Sequence, residues 1–495
     1  MKFNAVAPCV LFLLLPHAGT SLSAEEEMSR AIHLINRLSY GPRPGDVKKV
    51  MTMGFERYLY EQLSPQALSV PPELRDQLNR FQTISRDAAA LFAEYGPPES
   101  GDPALRRKSR RRSRIIGREA AEARFARALL SPRQLEERMV EFWFNHFNVS
   151  ENKGDNYLWT GPYEQFAIRP HALGRFRDLL GATAKHPAML TYLDNKRSSS
   201  AGRPGAKGKL KGLNENYARE LMELHTLGVD GEYNQDDVVA LAKILTGWGV
   251  GANRQGVPGN FFFNKNRHDF SDKLLLGHWV KGRGQEEGEE ALDILARHPS
   301  TARFISRQLA QYFISDDPPP REVERLAEVF RSTDGNIRAV LEALFRGESF
   351  WAPGTRGAKF KTPYHYLISC FRSANINALN INPSLGFLRQ MGMPLYRCAT
   401  PDGYKSTEAA WLNGDAILKR IAFSVSFASG HSRCVKATRG TANEGDRKTD
   451  PRVTEDMVRD SRANQFSPDT LAAVNKAEPR MRAAALLGSP DMMRY

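Results

Sequence analysis

Glu220 and Glu223 stand three residues apart in the segment Asn214-Glu215-Asn216-Tyr217-Ala218-Arg219-Glu220-Leu221-Met222-Glu223-Leu224-His225-Thr226-Leu227-Gly228. On a helix at 100° per residue they share a narrow arc with Asn216, with Arg219 and Glu215 beside it. Tyr217, Leu221, Leu224 and His225 take the opposite side. Two carboxylates one turn apart can serve as general acid and base, or bind a hard divalent cation. The same spacing also describes an amphipathic helix with a solvated face, on which Glu215–Arg219 and Arg219–Glu223 would be i,i+4 pairs worth only ~0.3–0.5 kcal/mol each. A third reading is a buried ion-pair network.

The other groups capable of chemistry are scattered. His268-Asp269 lies in a polar stretch with Lys273 close behind, and an Asp next to a His can bind metal or orient a neighbour. His146 falls with Leu135, Met139, Phe142 and Trp143 on the apolar side of a helix, where a histidine is either a satisfied core residue or a ligand. Asn145 sits at the polar margin of that helix. His33 and Arg37 are one turn apart, and Arg37 can clamp a carboxylate or phosphate or enter an internal ion pair. Working together, these groups must meet in space although they are far apart in sequence. The expectation is one cavity lined by Glu220, Glu223 and one of His146 or His268, with perturbed pKa values. HExxH, P-loop, Rossmann, GxSxG and CxxCH signatures do not occur, so the well-marked enzyme classes are unsupported.

Helices must position these residues. Apolar residues recur near a period of 3.6 almost throughout, so a mainly α fold is expected: one large multi-helix globular body with very little β. Helices are expected over 26–38, 46–53, 55–63, 72–95, 115–130, 132–149, 214–227 and 235–246. Further ones fit 288–298, 300–314, 321–332, 335–346, 361–373, 406–427 and 478–488. Ser131-Pro132-Arg133-Gln134 reads as a capping-box start, and Phe261-Phe262-Phe263 as a short strand. Flexible segments are expected near 96–114, 198–212 and 431–467.

The N-terminus orders a basic Lys2, an apolar run over 5–15 and small residues ending Ser21-Leu22-Ser23-Ala24. This predicts a cleavable secretory signal over 1–23, and so a periplasmic or secreted protein with no transmembrane segment in the mature chain. Three cysteines then remain, and either Cys398 pairs with Cys434 or all three are buried thiols. The chain carries 70 Lys and Arg against 56 Asp and Glu. Much of the excess lies in Arg106-Arg107-Lys108-Ser109-Arg110-Arg111-Arg112-Ser113-Arg114. That run is either a solvated face or, through Arg110, Arg111, Arg112 and Arg114, a contact for a polyanion: anionic lipid, acidic polysaccharide or lipopolysaccharide phosphate. Nucleic acid is not an expected partner of an exported chain.

The long Glu220 segment resembles the signature of the bacterial domain-of-unknown-function 1800 family. Other blocks agree in order: His33-Leu34-Ile35-Asn36-Arg37, Phe142-Trp143-Phe144-Asn145-His146-Phe147, Tyr192-Leu193-Asp194-Asn195, Leu245-Thr246-Gly247-Trp248, His268-Asp269 and Pro401-Asp402-Gly403-Tyr404. The resemblance covers nearly the whole mature chain. It implies an exported protein whose activity is not established, with a partner from the domain-of-unknown-function 1501 family suggested by gene neighbourhood. Relatives commonly have a second histidine where this chain has Phe144, which puts a paired-histidine metal site in doubt. The blocks lead to two expectations. One is a hydrolase-like enzyme, metal-assisted or not, with Glu220, Glu223, His268 and Asp269 catalytic. Asn216, Arg219, His146, His33, Arg37, Trp248 and Lys273 would then hold the ligand. The other is a non-catalytic cell-envelope binding or assembly protein. A shared concave pocket favours the first; a flat or fully packed arrangement favours the second.

Overall fold

The apolar stripe of a helix must be buried against another element, and that element is nearly always another helix in the computed structural model. It describes residues 23–100, 102–200, 212–252, 256–377, 379–435 and 453–495. Among these, 62% are helical and 4% are in strands or bridges. Residues 1–22 of the expected leader, most of 198–212 and the centre of 431–467 lie outside the described residues. Buried residues from Ala31 to Met493 join one hydrophobic cluster, so the helices share a single core.

Most expected helices form close to their predicted limits: Ala24–Leu38, Asp46–Met53, Phe55–Leu63, Gln235–Ile244, Pro299–Phe313 and Pro320–Ser332 among them. The differences have local causes. The expected helix over 72–95 is two, Pro72–Asn79 and Ala88–Tyr95. Between them Thr83 donates both its N–H and its hydroxyl to buried Glu119, at 2.8 and 2.7 Å. The expected helix over 406–427 breaks where the Asn413 side chain caps Ala416 at 2.9 Å, starting Gly414–Ala428. Gln134 does not complete a capping box. Its amide donates to the carbonyls of Ser131 (2.8 Å) and Ala128 (3.1 Å), and the helix begins two residues late, as Gln134–His146.

Two segments expected to be flexible contain helix. Most of the arginine run is Pro103–Arg112, started by Asp102, whose carboxylate accepts from Ala104 N–H at 2.8 Å. Within 431–467 the described part includes Glu455–Ser461, with Val458 fully buried. The strand Phe261–Phe263 pairs antiparallel with Trp248–Val250. A second hairpin, Lys273–Leu275 with His278–Val280, was not anticipated. Asn156–Pro162 runs into a π-helix, Tyr163–Ile168, a conformation common at functional sites. Cys370, Cys398 and Cys434 are buried thiols, so the Cys398–Cys434 bridge is not made.

Candidate functional site

Gln134–His146 crosses the core with both faces covered; 11 of its 13 residues are buried. One end of it forms the wall of a cavity of about 260 Å³. Glu141, Phe142, Phe144, Asn145 and His146 face this space. Glu223 and Leu224 enter from the end of the motif helix Asn216–Glu223, and Phe304, Gln308 and Tyr312 from Pro299–Phe313. The segment from Met393 to Ser406 closes it and supplies Cys398 and Asp402.

That segment is fixed by the aromatic block. Asn145 binds the backbone of Tyr404 in both directions, accepting from its N–H and donating to its carbonyl, each at 2.7 Å. Asn148 donates to Thr400 O at 2.8 Å, and Tyr192 O–H to Ala399 O at 2.8 Å. Gly403 (φ +66°) lies against Asn145, where an added Cβ would meet the Asn145 carbonyl at 2.3 Å. Only glycine fits that approach.

Three kinds of polar group line the cavity. Deepest is Glu141, 5% exposed, 3.6 Å from Arg138 and 3.4 Å from the Tyr312 hydroxyl. Arg124, also buried, is boxed by the rings of Phe144, Tyr364 and Tyr396 at 5.2–5.5 Å and donates to Glu164 at 3.0 Å. Glu164 sits on the π-helix and also accepts from Tyr396 O–H at 2.9 Å. At the more open end are the half-buried Glu223 and Asp402. Burial pushes the Asp402 carboxyl up, but hydrogen bonds from Lys405 (2.7 Å) and Thr400 outweigh it and hold it below the usual range.

Glu220 does not line the cavity, yet it senses it. Its carboxyl is pushed up by partial burial, then by the charges of Glu223 and Asp402. A carboxyl whose folded pKa is raised costs the folded state stability as pH climbs from the unfolded value through the folded one. Glu220→Gln is therefore expected to raise the melting temperature at pH 7 by on the order of 1 °C, with the gain vanishing below about pH 4, where both chains are uncharged at this position. A lower melting temperature at pH 7 would contradict this.

His146 reaches the cavity, but both ring nitrogens are engaged: Nε2–H donates to the His225 carbonyl at 3.1 Å, and Nδ1 lies 3.2 Å from the Gln308 side-chain amide, whose NH2 can donate to it. Burial lowers its pKa to about 4, so the ring is neutral at pH 7. Its place is positional, tying the aromatic block to the end of the motif helix.

The remaining sequence candidates lie elsewhere. His268 does not reach this cavity. Its side chain is fully enclosed, with Nδ1 facing Thr246 O at 2.7 Å and Nε2 facing Glu287 Oε1 at 2.8 Å. Glu287 also accepts from Lys273 at 2.5 Å and from Gly284 N–H at 2.7 Å. Asp269 is not the histidine's partner; it accepts from Ser271, and its carbonyl from Lys273. Trp248 is buried against Gly288, where a Cβ would meet the indole at 2.0 Å. Asn216 donates to Leu193 O at 3.3 Å, and Arg219 bridges Glu215 (3.3 Å) and Gln235 (2.9 Å) instead of Glu223. His33 faces Phe350 O at 2.9 Å, and burial takes its pKa down to about 3. Arg37 forms no ion pair among the described residues. It donates to Thr355 O at 2.5 Å and stacks 4.9 Å from the Tyr495 ring.

Of the four arginines considered for polyanion contact, Arg110, Arg111 and Arg114 line a separate cleft of about 900 Å³. Arg112 turns away from it and lies 5.5 Å over the Tyr95 ring. Among the described residues no three of His, Cys, Asp and Glu come close enough to share a metal ion, and no helix is long and apolar enough to cross a membrane. Periodicity could not have found Glu141, Arg124, Asp402 or Glu287, which meet their partners across distant segments.

A sequence model of the family described as "Protein of unknown function (DUF1800)" matches residues 33–494. Neither a curated protein nor a solved structure matches the chain.

Proposed function

The chain belongs to the DUF1800 family of proteins of unknown function, and from that premise we propose that it is an exported, hydrolase-like enzyme whose site is the 260 Å³ cavity. One observation carries this reading. The aromatic block, the end of the motif helix and the Pro401-Asp402-Gly403-Tyr404 block, far apart in sequence, face one concave space with aromatic walls and carboxylates. Such a mixture of apolar walls and a few convergent polar groups is the usual form of a small-ligand site.

In this reading Glu223 and Asp402 transfer protons at the open end. Glu220, Glu223 and Asp402 are like-charged neighbours: burial, then the charges of Glu223 and Asp402, raise the Glu220 carboxyl, while hydrogen bonds hold Asp402 low. Phe144, in the place of the relatives' second histidine, puts a ring beside the Arg124 guanidinium, so the proposal rests on carboxylates. The test is release of chromophore from a panel of nitrophenyl glycosides, esters and phosphates and amino-acid nitroanilides. Turnover of at least one class, blocked by alkylating Cys398 in the cavity wall, is expected. A full panel without turnover contradicts the proposal.

The export half of the proposal has its own check. The mature chain is expected to begin at Ala24 or Glu25, and an intact mass of exported protein that still includes Met1 would contradict it.

A second reading, an envelope assembly protein, draws on one surface. Leu274 and Trp279 are cross-strand partners on the exposed hairpin, 48% and 66% exposed, with Phe270 also exposed. A partner docking there would be lost on Trp279→Ala and retained on Glu223→Gln, as read by co-purification with a protein of the domain-of-unknown-function 1501 family.

A further inference from the structure

Arg107, Arg110, Arg111 and Arg114 follow the spacing i, i+3, i+4, i+7, which puts them on one face of a helix. The structure sets that stripe along one wall of the 900 Å³ cleft. The facing wall comes from nearly 300 residues later: Arg389, at the end of helix Ile381–Gln390, and the segment through Arg397. Arg118 and Arg397 have carboxylate partners, Glu122 at 3.0 Å and Glu151. Arg107, Arg110, Arg111, Arg114 and Arg389 have no carboxylate within 4 Å among the described residues. Among the described residues of the lining, Glu151 is the one acidic group.

This arrangement is not explained by folding. Pro103–Arg112 buries none of its residues in the core. It is nevertheless pinned: Ser109 O–H donates to the carbonyls of Tyr95 (2.6 Å) and Gly96 (2.8 Å), and Arg110 lies 5.1 Å over the Tyr157 ring. The helix dipole favours Arg110 and Arg111 in the last turn. It opposes Arg114, which opens the next helix, Arg114–Leu130, with no acidic residue in that first turn. Repulsion among five guanidinium groups brought together from two distant segments adds to this cost. Guanidinium forks match oxyanions bidentately, and a ligand carrying several would relieve the repulsion.

We infer that the cleft binds an acidic polysaccharide strand, with Arg389 opposing the Arg107–Arg110–Arg111–Arg114 stripe across it. A two-walled trough admits a single chain, whereas the plane of a bilayer meets a flat or convex face. Tyr157, Leu385 and Pro394 in the lining give a sugar ring apolar surface to lie on. The inference is independent of the 260 Å³ cavity, although Leu395 and Tyr396 form part of both linings.

The full chain is titrated with a polygalacturonate oligomer, inorganic phosphate and vesicles of phosphatidylglycerol. Saturable binding of the oligomer is expected, weakening as salt rises. Arg389→Gln and Arg110→Gln should each weaken it about fivefold to tenfold, and Arg112→Gln by less than about twofold. Circular dichroism should be unchanged throughout, because these side chains are exposed. Equal losses for Arg112 and Arg389 would mean diffuse attraction and overturn the cleft. Binding of vesicles without the oligomer, or of phosphate alone, would overturn the choice of ligand.

Discussion

Glu287→Ala is expected to destabilise the protein by about 3–5 kcal/mol, the usual cost of removing one partner from a buried ion pair. Glu287 is fully buried and accepts hydrogen bonds from Lys273, His268 and Gly284 N–H. Without it the Lys273 ammonium, 2% exposed, keeps, among the described residues, only the Asp269 carbonyl and a carboxylate at 4.0 Å. Burial alone would push the Glu287 carboxyl up, but those three hydrogen bonds bring it below its ordinary value. The carboxylate thus stabilises the fold at neutral pH, and that contribution fades as pH falls through its folded pKa. Glu287→Gln keeps the shape and an acceptor, so its loss should be smaller. Urea unfolding at pH 7 gives the numbers. A loss under about 1 kcal/mol for Glu287→Ala would show that the network is dispensable. Any turnover should survive in the folded fraction, because the triad lies outside the cavity.

Glu223→Gln is expected to do the reverse. As a proton-transfer group Glu223 should be worth about 10²–10⁴-fold in kcat/KM, while the melting temperature stays within about 1 °C. Glu223 is half-buried, and among the described residues its carboxylate makes no hydrogen bond or ion pair. It also ends the motif helix, where the dipole disfavours negative charge. Neutralising it therefore removes a small penalty from the fold while disabling the site. Activity within about threefold of wild type would remove Glu223 from the chemistry.

The shared arc of Glu220 and Glu223 was legible from spacing. So was the burial of His146, whose companions at 3.6 spacing are all apolar. The His268–Asp269 reading failed because adjacency in sequence does not set direction. His268 points to Glu287, 19 residues on, past a hairpin and in the first turn of helix Gln285–Arg297, and its neighbour Asp269 turns to Ser271. Asp402 was visible only as part of a resembling block. Its meeting with Glu223 depends on Asn145, Asn148 and Tyr192 holding the 398–404 segment, contacts that no local pattern encodes. Glu164 depends on a π-helix, for which the sequence carries no simple signal. The arginine stripe, by contrast, was present in the spacing of positions 107, 110, 111 and 114. Arg112, expected to act with Arg110, Arg111 and Arg114, falls outside the stripe at 100° per residue.

Diffraction from crystals soaked with a library of small polar fragments tests most directly that the cavity between the three blocks is the working site. Fragments are expected to collect there, with a polar atom within about 3.2 Å of the Glu223 or Asp402 carboxylate and an apolar edge against Phe142 or Phe304. Fragments that settle elsewhere, leaving the cavity to solvent in every data set, would contradict it.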